Sequence, residues 1–200
     1  MTEDNSGSNQ RPALSDGQLY RLAWAFYLLL AIAGVLWIGV RERTIPSRLF
    51  FDPEAVLLDF ALGVAVAALL LLVWQLVDRF VPLARELEER LRIAIGPLEP
   101  SEAIGLALLS GFSEELFFRG AVQGSWGWPL AAALFAAVHT GGERSMWLWT
   151  AFAALSGVVF GLLTVWTGNL LAAILGHILF NLVNLYRLTK RHEGDPTSAA

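Results

Sequence analysis

Cysteine is absent from this chain, lysine occurs once, at Lys190, and only 16% of the residues are charged. The first absence removes disulfides, thiolate metal ligands and a cysteine nucleophile together. The second, with a net charge of −4, argues against a nucleic-acid partner, which needs a basic surface. Hydrophobic residues make up 56% of the 200 positions and mean hydropathy is +0.55. A soluble domain of this size cannot bury so much apolar surface, so the composition points to an integral membrane protein. The first 19 residues are polar and lack the basic start, apolar run and small-residue cleavage site of a signal peptide. They read as a disordered tail, as do residues 190–200, around a single transmembrane domain over 20–189.

A bilayer core about 30 Å thick takes roughly 20 apolar residues per helix. Residues 22–40, 56–77, 146–167 and 169–188 meet that length, the last despite His177, Asn181 and Asn184. Residues 101–123 form a fifth span that carries charges. Residues 127–140 form a sixth, short enough to need shielding by neighbouring helices. Between the second and third spans, Leu83, Leu87, Leu91 and Ile95 recur every fourth residue, with Arg85, Glu88, Glu89 and Arg92 on other faces. That pattern predicts an amphipathic helix on the membrane surface, with Glu88 and Arg92 spaced to pair. Pro97 and Pro100 end it, and Ser101 is placed to cap the next span. The expected fold is an all-α polytopic bundle of six transmembrane helices and one interfacial helix. Ten basic residues flank the spans on the amino-terminal side of the membrane against three on the other, which predicts both termini in the cytoplasm.

The stretch "SGFSEELFFRG" places Glu114, Glu115 and Arg119 inside an otherwise apolar span. A charge at mid-bilayer costs about 2.5–3.5 kcal/mol or more, so these three need partners or a cavity. Glu115 and Arg119 are one turn apart and form an ion pair on paper. Glu114 points about 100° away and is left free. Its partners come from other spans: His139 ends "FAAVH" and His177 opens "HILFN", with Asn181 one turn further on. At ~1.5 Å per residue from the outer ends, Glu114 lies ~14 Å deep, His139 ~18 Å and His177 ~12 Å. One site at one depth accommodates them. Phe135 reads as packing, Asn184 as an interhelical contact and Asp59 as an interfacial charge.

A buried carboxylate beside two imidazoles is suited to activating water. A histidine with an asparagine amide is suited to holding the oxyanion of an acyl-transfer intermediate. That chemistry is hydrolysis, most simply of a peptide bond. The residues alone leave three other readings open. One is a zinc ion held by the two histidines and the glutamate. Another is a scaffold or immunity-type protein using the pocket only to bind, and a weaker one is a transporter.

In order along the chain, "EELFFR", "FAAVH" and "HILFN" resemble the EExxxR, FxxxH and HxxxN motifs of the CPBP family, the CAAX protease and bacteriocin-processing intramembrane glutamic endopeptidases, also called Abi. The resemblance covers residues 101–189, the motif core. It implies that Glu114 and His139 activate the water, that His177 and Asn181 line the oxyanion site, and that Glu115 and Arg119 support it. It also implies a metal-free site with no cofactor, and a membrane-associated peptide or protein as substrate. Six spans rather than eight and a single lysine suggest a prokaryotic cytoplasmic membrane, where a prenylated substrate is not required.

Overall fold

The computed structural model describes residues 16–193, with side chains over 19–190. The ends of the expected tails, residues 1–15 and 194–200, lie outside the described residues; inside them the helices reach back to Asp16 and on to Glu193. The elements are α1 (Asp16–Glu42), α2 (Val56–Phe80), α3 (Pro82–Ile95), α4 (Pro100–Glu114), a π-helical run (Glu115–Gln123), the single turn α5 (Gly124–Trp126), α6 (Trp128–Val138), α7 (Arg144–Thr167) and α8 (Leu171–Glu193). Among the described residues there is no strand.

Apolar runs become helices here because lipid offers backbone groups no partner, and a helix satisfies them internally. Leu19–Glu42, Val56–Phe80, Arg144–Thr167 and Leu171–Lys190 are each long and apolar enough to cross a membrane. Their outward faces carry unpacked large side chains such as Leu29, Val40, Leu57 and Trp166. This is an integral membrane protein. The charged span is one unbroken helical stretch from α4 through α5, stopped at Gly127, whose φ of 85° suits glycine. The short sixth span is α6. It buries Ala131, Ala132 and Phe135, as a shielded helix should, yet leaves Leu130, Leu134 and Val138 outside. Its shielding is therefore one-sided.

The amphipathic reading of residues 82–95 holds, with Ala84 and Leu87 buried and α3 packed against α7. One local expectation, the cap of α4, is corrected. Arg92 holds Glu89 at 2.7 Å, and Arg90 pairs with Glu86 on α3 and with Glu143 before α7. Gly96, at φ 72°, closes α3 ahead of Pro97. The cap of α4 is Glu99 rather than Ser101: Pro100 takes the first helical position, and the Glu102 carboxylate accepts the Glu99 N–H at 3.0 Å.

α8 runs through the middle, against α2 on one side and α4 on the other. Both crossings are set by glycine. A Cβ on Gly63 of α2 would lie 2.8 Å from the Ala172 carbonyl oxygen, and one on Gly111 of α4 would lie 2.9 Å from the Ile178 backbone nitrogen. Small residues at such contacts let membrane helices approach backbone to backbone. Asp59, near the start of α2, is packed inside the bundle. It is 1% exposed and accepts a 2.7 Å hydrogen bond from Asn169, whose own side-chain oxygen accepts the Leu171 N–H at the start of α8.

Candidate active site

The site is built where α4 widens. A nine-residue π-helical run is rare, and π geometry recurs at functional positions. Here it begins at Glu115, directly after Glu114. At its far end Arg41 of α1 donates to the carbonyls of Ala121 (2.8 Å) and Gly120 (3.2 Å) and to the Ser125 hydroxyl. Gly124 leaves space for that guanidinium, since a Cβ there would lie 2.4 Å from Nη1.

Glu115 and Arg119 form the expected pair: Arg119 Nη1 donates to Glu115 Oε1 at 2.9 Å. Both are almost wholly buried, at 0% and 3% exposure. The arginine lies between aromatic faces, its Cζ 4.4 Å from the Phe135 ring centre and 5.5 Å from that of Phe160. Phe135 is thus more than packing, because its ring face attracts the cation. Arg119 also reaches the Gly157 carbonyl of α7.

The pair has a third member that spacing did not reveal. His177 Nδ1 lies 2.7 Å from Glu115 Oε1, and since a carboxylate only accepts, Nδ1 carries the proton. Phe160 stacks on the ring at 5.3 Å and Phe135 meets its edge. The opposite nitrogen, Nε2, faces Glu114 Oε2 at 3.8 Å. Two adjacent glutamates on diverging directions therefore address one imidazole through its two nitrogens.

His139 sits just past the end of α6 and does not continue it. Its Nδ1 donates to the Phe135 carbonyl at 2.7 Å, which fixes the proton there and turns Nε2 toward Glu114 Oε2 at 3.9 Å. Glu114 Oε2 is buried and has no hydrogen-bond partner. One carboxylate oxygen and two imidazole nitrogens thus converge with a gap between them. Asn181 Nδ2 donates to the Ser110 hydroxyl at 2.9 Å, and Ser110 lies one turn before Glu114. Asn184 makes no such crossing; its amide donates to the Phe180 carbonyl of its own helix.

Glu114, His139, His177 and Asn181 all line one cavity of about 440 Å³. Its walls are mainly apolar and run from Phe135 and Phe160 past Trp74 and Leu106 to Leu91 of α3 and Tyr20 of α1. Tyr20, α3 and Leu188 lie at the end of the bundle where α1 begins and α8 finishes, so the cavity extends toward that face. Sequence reasoning missed Ser110, and also Tyr27 of α1, which lines the cavity together with Glu114. No motif includes either.

Residues 97–183 match the family model for Rce1-like, type II CAAX prenyl endopeptidases. All three motifs fall inside that segment. Among curated proteins, the uncharacterised protein YpbD of Bacillus subtilis (strain 168) is 34% identical over 91 residues. That match takes in 44% of this chain, which spans about half the length of the relative, 47% of it. No solved structure matches.

Proposed function

We propose that this chain, whose residues 97–183 match the model for type II CAAX prenyl endopeptidases, is a CPBP-family glutamic intramembrane endopeptidase. It cleaves a membrane-associated peptide or protein whose scissile bond enters the apolar cavity from the face bearing α3. Charge asymmetry makes that face the cytoplasmic one of a prokaryotic membrane. The observation that carries the reading is the convergence of Glu114 Oε2 with the Nε2 atoms of His139 and His177 at 3.9 and 3.8 Å.

A water in that gap donates to Glu114 and to His139 Nε2, both acceptors in the tautomer the Phe135 carbonyl imposes. Glu114 takes one proton as the water oxygen bonds the peptide carbonyl carbon. The carbonyl oxygen becomes an oxyanion. His177 Nε2 donates to it once that ring has taken a second proton from solvent, the first staying on Nδ1 toward Glu115. Asn181 uses one amide hydrogen on Ser110 and keeps the second for the oxyanion. Each such donor is worth roughly 3 kcal/mol in the transition state. Glu114, assisted by His139, finally passes the proton to the leaving nitrogen as the C–N bond breaks.

The test uses the full chain in phospholipid vesicles with an internally quenched, membrane-anchored peptide library. Cleavage survives a strong chelator and falls about a hundredfold or more in His139→Ala. Loss of cleavage to the chelator, restored by zinc, would favour the metalloprotease reading. Undiminished cleavage by the variant would remove His139 from the chemistry.

A further inference from the structure

Tyr27 belongs to α1, seventy residues before the segment that matches the family model. In the first span most side chains face outward, including Phe26, Leu28 and Leu29 on either side of it. Tyr27 itself is half-buried and turns inward. It lines the same cavity as Glu114, His139 and His177. The turn is made possible by close contact between α1 and the catalytic helix. A Cβ on Gly34 would lie 3.3 Å from the Phe117 backbone, and one on Gly105 of α4 would lie 3.1 Å from the Trp24 ring and 3.3 Å from the Tyr20 hydroxyl. Phe26 meets the Tyr27 ring edge-on at 5.2 Å and limits its rotation.

Glu114 has few other ways of being held. Its Oε2 is buried without a hydrogen-bond partner, and the two imidazoles stand 3.8 and 3.9 Å away. Both present acceptor nitrogens in their resting tautomers, so neither donates to it. The Tyr27 hydroxyl is a donor on the wall of the same cavity, on the helix packed against α4. We propose that Tyr27 is a positioning residue for Glu114: it anchors the carboxylate so that Oε2 points into the gap between His139 and His177. On this account α1 is part of the catalytic apparatus, although it lies outside the matched segment. The inference rests on Glu114 being the general base.

A base held by one hydrogen bond loses alignment, and not substrate affinity, when that bond is deleted. Tyr27→Phe keeps the ring, the cavity wall and the edge contact with Phe26, and removes only the hydroxyl. With the full chain in vesicles and the quenched peptide library as probe, kcat falls roughly tenfold while KM stays within about twofold. Infrared difference spectra supply a second readout that needs no activity. The carboxylate band that disappears in Glu114→Gln shifts in Tyr27→Phe. A wild-type kcat together with an unmoved band overturns the proposal. A band that shifts in a protein whose cleavage is indifferent to Glu114→Gln keeps the hydrogen bond and overturns the catalytic reading instead. An unmoved band with lowered kcat assigns Tyr27 to the cavity wall and also overturns the proposal.

Discussion

The imidazole of His177 is tied to Glu115, Nδ1 to Oε1, at 2.7 Å. That contact makes the second glutamate of the motif a participant in the state of the oxyanion donor, beyond its ion pair with Arg119. Glu115→Gln keeps an acceptor for Nδ1 but removes the charge that supports a doubly protonated ring. Its kcat is expected to fall by about the worth of one oxyanion donor, roughly 3 kcal/mol. Steady-state kinetics with the quenched peptides read this directly, and a wild-type kcat contradicts it.

Arg119→Ala acts on the fold first. It leaves the Glu115 carboxylate, 0% exposed, without its cation and held by the His177 Nδ1–H. Breaking a buried pair from one side costs about 3–5 kcal/mol. The variant should accumulate poorly in membranes and melt well below the wild type in detergent. Equal yield and melting temperature would show that the pair does not hold the π-helical run in place.

Much of this architecture was legible in the residues. The apolar runs announced the long spans because lipid leaves the backbone no other satisfied conformation. The intramembrane charges announced the site because an unpartnered charge is too costly to keep. What stayed hidden depended on geometry that spacing does not encode. A regular α-helix was assumed through residues 101–123, whereas the stretch turns π-helical at Glu115. His177 has two nitrogens, and only the crossing of α8 over Gly111 decides that one meets each glutamate. Tyr27 and Ser110 belong to no motif, and a tyrosine in a first span reads as an interfacial side chain until α1 is seen against α4. The partner of Asp59, Asn169, is 110 residues away, and no spacing along one helix shows it.

That crossing yields a prediction of its own. A methyl at position 111 would meet Ile178 Cγ1 at 2.7 Å and its backbone nitrogen at 2.9 Å, and a helix backbone cannot swing aside as a side chain does. Gly111→Ala should push α8 off α4 and carry His177 and Asn181 with it. A stability loss of about 1–3 kcal/mol is expected, with a disproportionate fall in kcat. Thermal melts paired with kinetics check both; activity that drops only as far as stability would show that the crossing does not align the site.

At the other end of the catalytic helix, Gly124→Ala places a methyl 2.4 Å from Arg41 Nη1. The guanidinium can move, but it then releases the carbonyls of Gly120 and Ala121. At about 0.5–1.5 kcal/mol for each hydrogen bond lost, the variant should melt lower, and Arg41→Ala should melt lower by a similar amount. Combining the two should add little, because each removes the same contact. Additive losses would separate Gly124 from Arg41.

The central claim is that Glu114 activates water within a shared membrane cavity. Cells expressing wild-type or Glu114→Gln protein at equal membrane levels would be compared by sequencing peptide termini in the membrane fraction. At least one new terminus should be present with the wild type and absent with the variant. Identical sets of termini, with the variant protein inserted and folded, would contradict it.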